Sequence, residues 1–130
     1  MEKVCLVIGA GAGIGGTVGT RFAAGGYHAV LSRRTDTDGL NQLVSDIQAA
    51  GGKATGRLLN AVEPDSIEKL IAETELNIGP IESLVFNLGA QIGNRTLPET
   101  TLKAFERCWQ MSTFALFRAA QIVCPLMAER

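Results

Sequence analysis

Five glycines within eight residues near the amino terminus form the most chemically specific pattern in the sequence. They are Gly9, Gly11, Gly13, Gly15 and Gly16. A glycine inside a helix costs about 0.8–1 kcal/mol relative to alanine, so this segment is disfavoured unless bare backbone is needed there. Bare backbone lets a phosphate approach, and the free N–H groups of a helix amino terminus favour its negative charge. Tight packing of the helix against the strand would need only one glycine. The segment therefore predicts a loop that binds the pyrophosphate of a dinucleotide.

The elements predicted around this loop are a buried strand before it and a helix after it. Val4–Ile8 is a continuous apolar run, the pattern of a strand covered on both faces of a parallel sheet. Between residues 13 and 24, Ile14, Val18 and Phe22 recur on one helical face. A glycine-rich turn between strand and helix is the context in which such a motif binds a dinucleotide.

The rest of the chain repeats the alternation of strand and helix. Strands are predicted at 29–31, 53–59 and 83–86, and helices around 40–47, 67–78 and 101–127. Alternation of this kind indicates a parallel sheet with right-handed crossovers. We therefore predict an α/β fold for residues 1–130: a single dinucleotide-binding domain with a Rossmann-like, doubly wound parallel sheet flanked by helices and the strand order 3-2-1-4.

The spacing of the glycines is similar to that of one protein family. Read from Gly11, the common G-x-G-x-x-G pattern begins two residues after the strand, whereas Gly9-x-x-x-Gly13-Ile14-Gly15 begins directly at its end. The second frame resembles the short-chain dehydrogenase/reductase family, whose loop reads Thr-Gly-x-x-x-Gly-Ile-Gly; Ile8 stands in place of the Thr. The resemblance covers essentially the entire chain. It implies an oxidoreductase that moves hydride between nicotinamide and a small-molecule carbonyl or alcohol.

Two further segments carry the resemblance and imply cofactor contacts. Residues 86–89 read Phe-Asn-Leu-Gly where the family has Asn-Asn-Ala-Gly, so Asn87 and Gly89 are expected to line the adenosine-ribose side. Asn60 and Ala61 follow the third strand, where the family often has an Asp and a small residue that hold adenine.

The end of the second strand bears on the choice between the two nicotinamide cofactors. NAD-selective relatives carry an Asp or Glu there, whereas this chain reads Ser32-Arg33-Arg34. Two guanidiniums suit a 2′-phosphate, because an Arg–phosphate contact can be bidentate. We therefore expect these three residues to favour NADP(H) over NAD(H). The alternative is an ordinary solvated pair of surface arginines.

The family's catalytic Tyr-x-x-x-Lys is missing from these 130 residues. The single tyrosine, Tyr27, is followed four positions later by Leu31, and His28 enters a strand as a packed or surface residue. Ser112 takes the position of the helix Asn that supports the family's proton relay. No catalytic residue is otherwise predicted within the chain. No metal site is predicted either, since the three cysteines lack metal-like spacing.

Two explanations for the missing pair remain. The chain is either the amino-terminal part of a longer reductase or a non-catalytic NADP(H)-binding or regulatory protein. The first is favoured, because helix 101–127 is apolar around much of its circumference and the fourth strand would leave an open sheet edge. By resemblance, this helix forms a homo-oligomer interface. The segment Ala90–Pro98 follows the fourth strand and is expected to border the substrate.

Composition narrows the classes of partner and compartment. Hydrophobic residues make up 46% of the chain and charged residues 19%, which argues against disorder. A net charge of −1 gives no basic excess for binding nucleic acid. No continuous apolar run reaches the roughly 18 residues of a membrane-spanning helix, so no membrane partner is expected. An odd number of cysteines, three, favours a reducing, cytoplasmic setting.

Overall fold

Strands and helices alternate along the computed structural model of the protein, which describes residues 1–89 and 95–130. In chain order the elements are β1 (Val4–Ile8), α1 (Ile14–Ala24), β2 (His28–Arg33), α2 (Thr37–Ala49), β3 (Lys53–Leu58), α3 (Ser66–Asn77) and β4 (Ile81–Phe86), followed by α4 (Leu102–Trp109), a π-helical turn (Gln110–Phe114) and α5 (Ala115–Glu129). The predicted alternation is confirmed, with strand and helix ends shifted by at most three residues.

The strands form a parallel sheet with β1 in its interior. β1 pairs with β2 on one side and with β4 on the other, and β2 pairs with β3. In the part of the chain that the structure describes, the order is therefore β3-β2-β1-β4, as predicted. All five residues of β1 are buried, which explains why its sequence is apolar without alternation.

Alternate residues of β1 supply two separate cores, one on each face of the sheet. Val4, Leu6 and Ile8 face α3 and α5, whereas Cys5 and Val7 face α1 and α2. Burial raises the pKa of the Cys5 thiol to about 11, so this cysteine stays protonated and packs as a small hydrophobic side chain. Helices on both faces make the sheet doubly wound.

Helix α1 buries only part of the apolar face that its sequence predicts, since Val18 and Phe22 pack partly buried against the core and Ile14 does not. Ile14 is 72% exposed, and the buried residues of the helix are Gly15, Gly16, Gly19 and Ala23. The reason is the short distance between α1 and its neighbours. A Cβ on Gly16 would lie 3.3 Å from Cδ2 of Leu43 on α2. The glycines therefore occupy the most closely packed positions of α1, with Val18 and Phe22 partly buried beside them.

Two Arg–Glu pairs among the described residues join α5 to α3. Arg118 donates two hydrogen bonds to the carboxylate of Glu68, and Arg130 donates two to that of Glu75. In each pair, these bonds hold the pKa of the carboxyl below its ordinary value. The two contacts fix the angle at which α5 lies across the sheet.

The last helical segment buries only part of its apolar surface. Ala115, Ala119 and Val123 of α5 are fully buried against the sheet, whereas Phe105 is 67% and Phe117 59% exposed. By length and composition alone, this helical segment of the described residues could cross a membrane, with a mean hydropathy of 1.4 over 18 residues. No membrane-spanning helix is predicted from the sequence, because uncharged polar residues interrupt the continuous apolar run of this segment. These residues add no charge, so the mean hydropathy of the segment stays high. Its inner side nevertheless packs like a core helix.

Candidate cofactor-binding site

The turn between β1 and α1 begins with a glycine that no other residue could replace without strain. Gly9 has a φ of +96°, in the left-handed region. A Cβ at this position would also lie 2.7 Å from the backbone carbonyl of Asn87, which follows β4. The N–H groups of Gly9 and Ala10 both donate to the carbonyl oxygen of Ser32, at 3.1 and 2.8 Å. Three strand ends therefore meet at this turn through backbone atoms.

Asn87 braces the same turn with its side chain. Its Nδ2 donates to the carbonyl oxygen of Gly9 at 3.2 Å, and its backbone N–H donates to that of Ile8 at 2.8 Å. Ile8 itself is buried and supplies no hydroxyl. The side-chain hydrogen bond that holds this loop thus comes from Asn87, at the end of the neighbouring strand. Gly89 lies two residues further on, exposed at the same edge of the sheet.

The amino terminus of α1 has the features of an anion site. Gly13 is the N-cap, makes no side-chain hydrogen bond, and is exposed; the first turn holds no acidic residue. Gly15 lies so close to Gly9 and Ala10 that its Cβ would be 2.9 Å from Cα of Ala10. Since the first N–H groups of a helix have no helical partner, the end of α1 offers donors and positive potential to an anion.

Arg33 lies beside this loop in a fixed orientation. Its side chain is 18% exposed, and Nη1 contacts Oδ2 of Asp36 at 3.2 Å. Asp36 is the N-cap of α2 and accepts from the N–H of Gly39 through Oδ1. Nη2 of Arg33 lies near Gly11, 3.9 Å from the position that a Cβ would take there. Asp36 therefore holds the guanidinium next to the glycine loop, in a cleft of about 400 Å³ between α1 and α2.

The two neighbours of Arg33 differ in their exposure. Ser32 is buried, and its hydroxyl donates to the carbonyl oxygen of Val7 at 3.0 Å, so it braces β1 instead of facing the cleft. Arg34 is exposed. Sequence reasoning missed Asp36 as a partner of Arg33, although its position just before a predicted helix marks it as a cap.

The turn after β3 holds the candidate adenine contacts. Oδ1 of Asn60 accepts from the N–H of Val62 at 3.3 Å, and its carbonyl oxygen accepts from the hydroxyl of Ser66 at 2.8 Å. Ala61 is buried, and its carbonyl oxygen accepts from Nη1 of Arg118 at 2.6 Å. This turn follows the carboxyl end of β3, at the same edge of the sheet as the glycine loop. Nothing in the sequence marks Arg118 as its partner.

Each candidate for proton transfer makes a contact of its own in the structure. Ser112 lies in the π-helical turn, exposed, and its hydroxyl donates to the carbonyl oxygen of Cys108. Tyr27 packs edge-on against Phe22, with ring centroids 5.2 Å apart. His28 pairs with Val4, at the amino end of β1 and thus at the opposite edge of the sheet.

His28 is held in a polar chain of its own. Its Nδ1 lies 2.7 Å from Oε2 of Glu2 and its Nε2 2.8 Å from Oγ1 of Thr55. It therefore acts as a partly buried structural residue, as its sequence context predicts. Of the predicted substrate-bordering segment Ala90–Pro98, residues 90–94 lie outside the described part of the chain.

Comparison with known proteins identifies relatives of the same kind along the whole chain. The family model for short chain dehydrogenases matches residues 3–130. The 7alpha-hydroxysteroid dehydrogenase of Escherichia coli is 29% identical over 127 residues, which cover 98% of this chain and 49% of that protein. A fatty acyl-CoA reductase of Acinetobacter baylyi is 30% identical over 130 residues, covering 98% of this chain and 43% of that protein.

Solved structures agree with the sequence relatives. A short-chain dehydrogenase from Rhodopseudomonas palustris superimposes with a TM-score of 0.90 at 32% identity, covering 99% of this chain and 59% of that one. The chain spans about half the length of the curated relatives it matches.

Replacing Gly15 with alanine tests the close approach inside the loop. The added Cβ would collide with the backbone of Gly9 and Ala10, so we expect Gly15→Ala to lower the free energy of unfolding by about 1–3 kcal/mol, the usual cost of overpacking. Gly11→Ala is the matched control, because its Cβ would make only an ordinary contact with Arg33. Urea unfolding measures both. Equal stabilities for the two variants would contradict the close approach.

Proposed function

The chain belongs to the short-chain dehydrogenase family, and on that premise we propose that it is the cofactor-binding part of an NADP(H)-dependent oxidoreductase. The substrate we propose is a small molecule with a carbonyl or alcohol group, since the whole protein's relatives carry the names of dehydrogenases and reductases. The bound nicotinamide would supply or accept the hydride. The chain's own task is to bind and orient that cofactor.

The observation that carries this proposal is the turn between β1 and α1. Gly9 and Gly15 let the backbone fold so tightly that the uncapped amino terminus of α1 lies at the carboxyl edge of the sheet. In open α/β sheets, ligands bind at this edge. In our assignment, the N–H groups around Gly13, Ile14 and Gly15 hold the pyrophosphate. Their partial positive charges need no side chain to complement it.

The remaining contacts follow the order of the strands. Adenine lies against the turn of Asn60 and Ala61, and the adenosine ribose lies near Asn87 and Gly89. A dinucleotide in this position would run along the carboxyl ends of β3, β2, β1 and β4, which the sheet order makes neighbours.

Preference for NADP(H) is supported by the fixed orientation of Arg33. A flexible arginine loses side-chain entropy when it binds a phosphate, whereas this one is already held by Asp36 beside Gly11. The 2′-phosphate would add a second anion to a guanidinium with five donors, of which Asp36 engages one. Arg34 is exposed nearby and adds positive charge without a fixed geometry.

We place the proton donor in a part of the protein that follows Arg130. The relatives are about twice as long as this chain, and a Tyr-x-x-x-Lys is absent from its sequence. Ser112 lacks the amide of the family's Asn, and its hydroxyl donates to the carbonyl oxygen of Cys108. A non-catalytic binding protein is not favoured, since the relatives that match this chain are named dehydrogenases and reductases.

The exposed face of α4 and α5 is our proposed interface with a second copy of the chain. Phe105, Trp109 and Phe117 lie exposed along it, and burying such side chains contributes about 1.5–3 kcal/mol each. The free cysteines Cys5, Cys108 and Cys124 fit a cytoplasmic location.

Titration with NADPH tests cofactor binding and its selectivity together. We expect the wild-type chain to bind NADPH more tightly than NADH. Arg33→Asp should raise the Kd for NADPH by roughly 10- to 100-fold, because a hydrogen bond to a charged group contributes about 1.5–3 kcal/mol, while the Kd for NADH changes little. Arg21 lines the same cleft from α1, so Arg21→Asp is the control for the change in net charge. Fluorescence of the bound nicotinamide gives each Kd.

Two results would count against these assignments. A wild-type chain that shows no saturable binding of either nucleotide removes the proposed function. An NADPH/NADH affinity ratio that Arg33→Asp leaves unchanged removes only the assignment of the 2′-phosphate site.

Sedimentation velocity tests the proposed interface. We expect the wild-type chain to sediment as a dimer and Phe117→Asp to raise the dimer dissociation constant at least about tenfold, since a charge would be buried without a partner. Leu76→Asp, at an exposed position on α3, is the matched control. A wild-type chain that stays monomeric at all concentrations contradicts the interface and weakens the case for a longer reductase.

The reading frame of the gene tests where the proton donor lies. We expect the codons after Arg130 to encode a Ser followed by Tyr-x-x-x-Lys, and a protein that includes them to reduce carbonyl compounds with NADPH. Tyr→Phe at that position should then abolish turnover and leave NADPH binding intact. A frame without such a motif would leave cofactor binding in place and end the claim of oxidoreductase activity.

A further inference from the structure

Arg118 reaches from α5 to the turn that follows β3. Its side chain is only 12% exposed, and Nε and Nη2 donate to the two carboxylate oxygens of Glu68 at 2.8 and 2.7 Å. Nη1 donates to the carbonyl oxygen of Ala61 at 2.6 Å, and Nη2 also contacts that of Glu63 at 3.2 Å. One guanidinium therefore joins α5, α3 and the turn.

The direction of this guanidinium is set by Glu68. An Arg–carboxylate fork is planar and bidentate, so it fixes the orientation of the arginine as well as its distance. With Arg118 held in this way, its Nη1 determines where the carbonyl of Ala61 points. The peptide plane of Ala61–Val62 then brings the N–H of Val62 to Oδ1 of Asn60. The position of the Asn60 side chain thus depends on a contact made by α5.

We propose that Arg118, oriented by Glu68, is a positioning residue for the cofactor: it holds the turn of residues 60–63 in the conformation that recognises the adenine ring. This inference rests on the proposed function, because it assumes that adenine lies against Asn60 and Ala61. Arg118 acts through the turn and does not itself touch the ring.

The second Arg–Glu pair provides a matched control. Arg130 and Glu75 also join α5 to α3 through two hydrogen bonds, at 2.8 and 2.9 Å. This pair contacts Ile81, at the amino end of β4, and so lies at the edge of the sheet opposite the turn. Loss of either pair removes the same kind of interaction between the same helices, but only one of them touches the turn.

The experiment compares NADPH with its hypoxanthine analogue, in which an oxygen replaces the 6-amino group of the base and N1 carries a proton. Isothermal titration gives the Kd of both nucleotides for the wild-type chain, Glu68→Gln and Glu75→Gln. We expect the wild type to prefer adenine and Glu68→Gln to raise the Kd for NADPH roughly fivefold, the effect of about one hydrogen bond. The Kd for the hypoxanthine analogue should change less than about twofold, so the preference is lost. Glu75→Gln should keep the preference.

Arg118→Lys is a second variant for the case that Glu68→Gln fails to fold. Lysine keeps the positive charge near Glu68 but lacks the fork that reaches Ala61, so it should also lose the preference for adenine. Equal weakening of both nucleotides in Glu68→Gln or Arg118→Lys would mean a merely structural role and overturn the inference. A wild type that binds both nucleotides equally would overturn it too. A wild type that binds neither would remove the proposed function and the inference with it.

Discussion

The β1–α1 turn approaches the backbone that follows β4 so closely that no Cβ fits at Gly9 between them. Gly9 adopts a left-handed φ with the carbonyl group of Asn87 where a Cβ would be, and Gly15 packs against the same turn from the other side. This close approach places the end of α1 directly above the sheet edge. If the turn were one methyl group wider, the helix amino terminus would move away from the ends of β2 and β4, and the groups assigned to the cofactor would separate.

Two arginines assigned to the site, Arg33 and Arg118, have a carboxylate partner before any ligand is bound. Arg33 contacts Asp36, and Arg118 contacts Glu68, each with a mostly buried side chain. A buried guanidinium without a partner would carry a large desolvation cost, so the carboxylates stabilise the free protein. They also fix the two arginines in defined directions. The helix terminus at Gly13 is the exception: its donors face outward with no acidic side chain in the first turn.

The sequence predicts the framework of this molecule because the framework depends on local patterns. The apolar run of β1 and the periodic helices are sufficient for the parallel sheet, whereas its strand order follows the pattern of Rossmann-like folds. The packing face of α1 was predicted only in part: Val18 and Phe22 pack against the core, whereas Ile14 is exposed and the most closely packed positions are Gly16 and Gly19. The partners of Arg118 could not be predicted, since Glu68 lies 50 residues away in the chain. The site residues around the glycine loop remain predictions, although the fold brings their elements to one edge.

The π-helical turn at Gln110–Phe114 changes which side of the last helical segment faces the sheet. A π turn contains one residue more than an α turn, which corresponds to about 100° of rotation around the helix axis. This offset lets Ala115, Ala119 and Val123 face the sheet. Phe105 and Trp109, before the turn, stay exposed on α4. A deletion of a single residue in this turn would turn the two halves of the segment relative to each other by more than a quarter of a circle. Its length is therefore constrained even where the identity of its side chains is not.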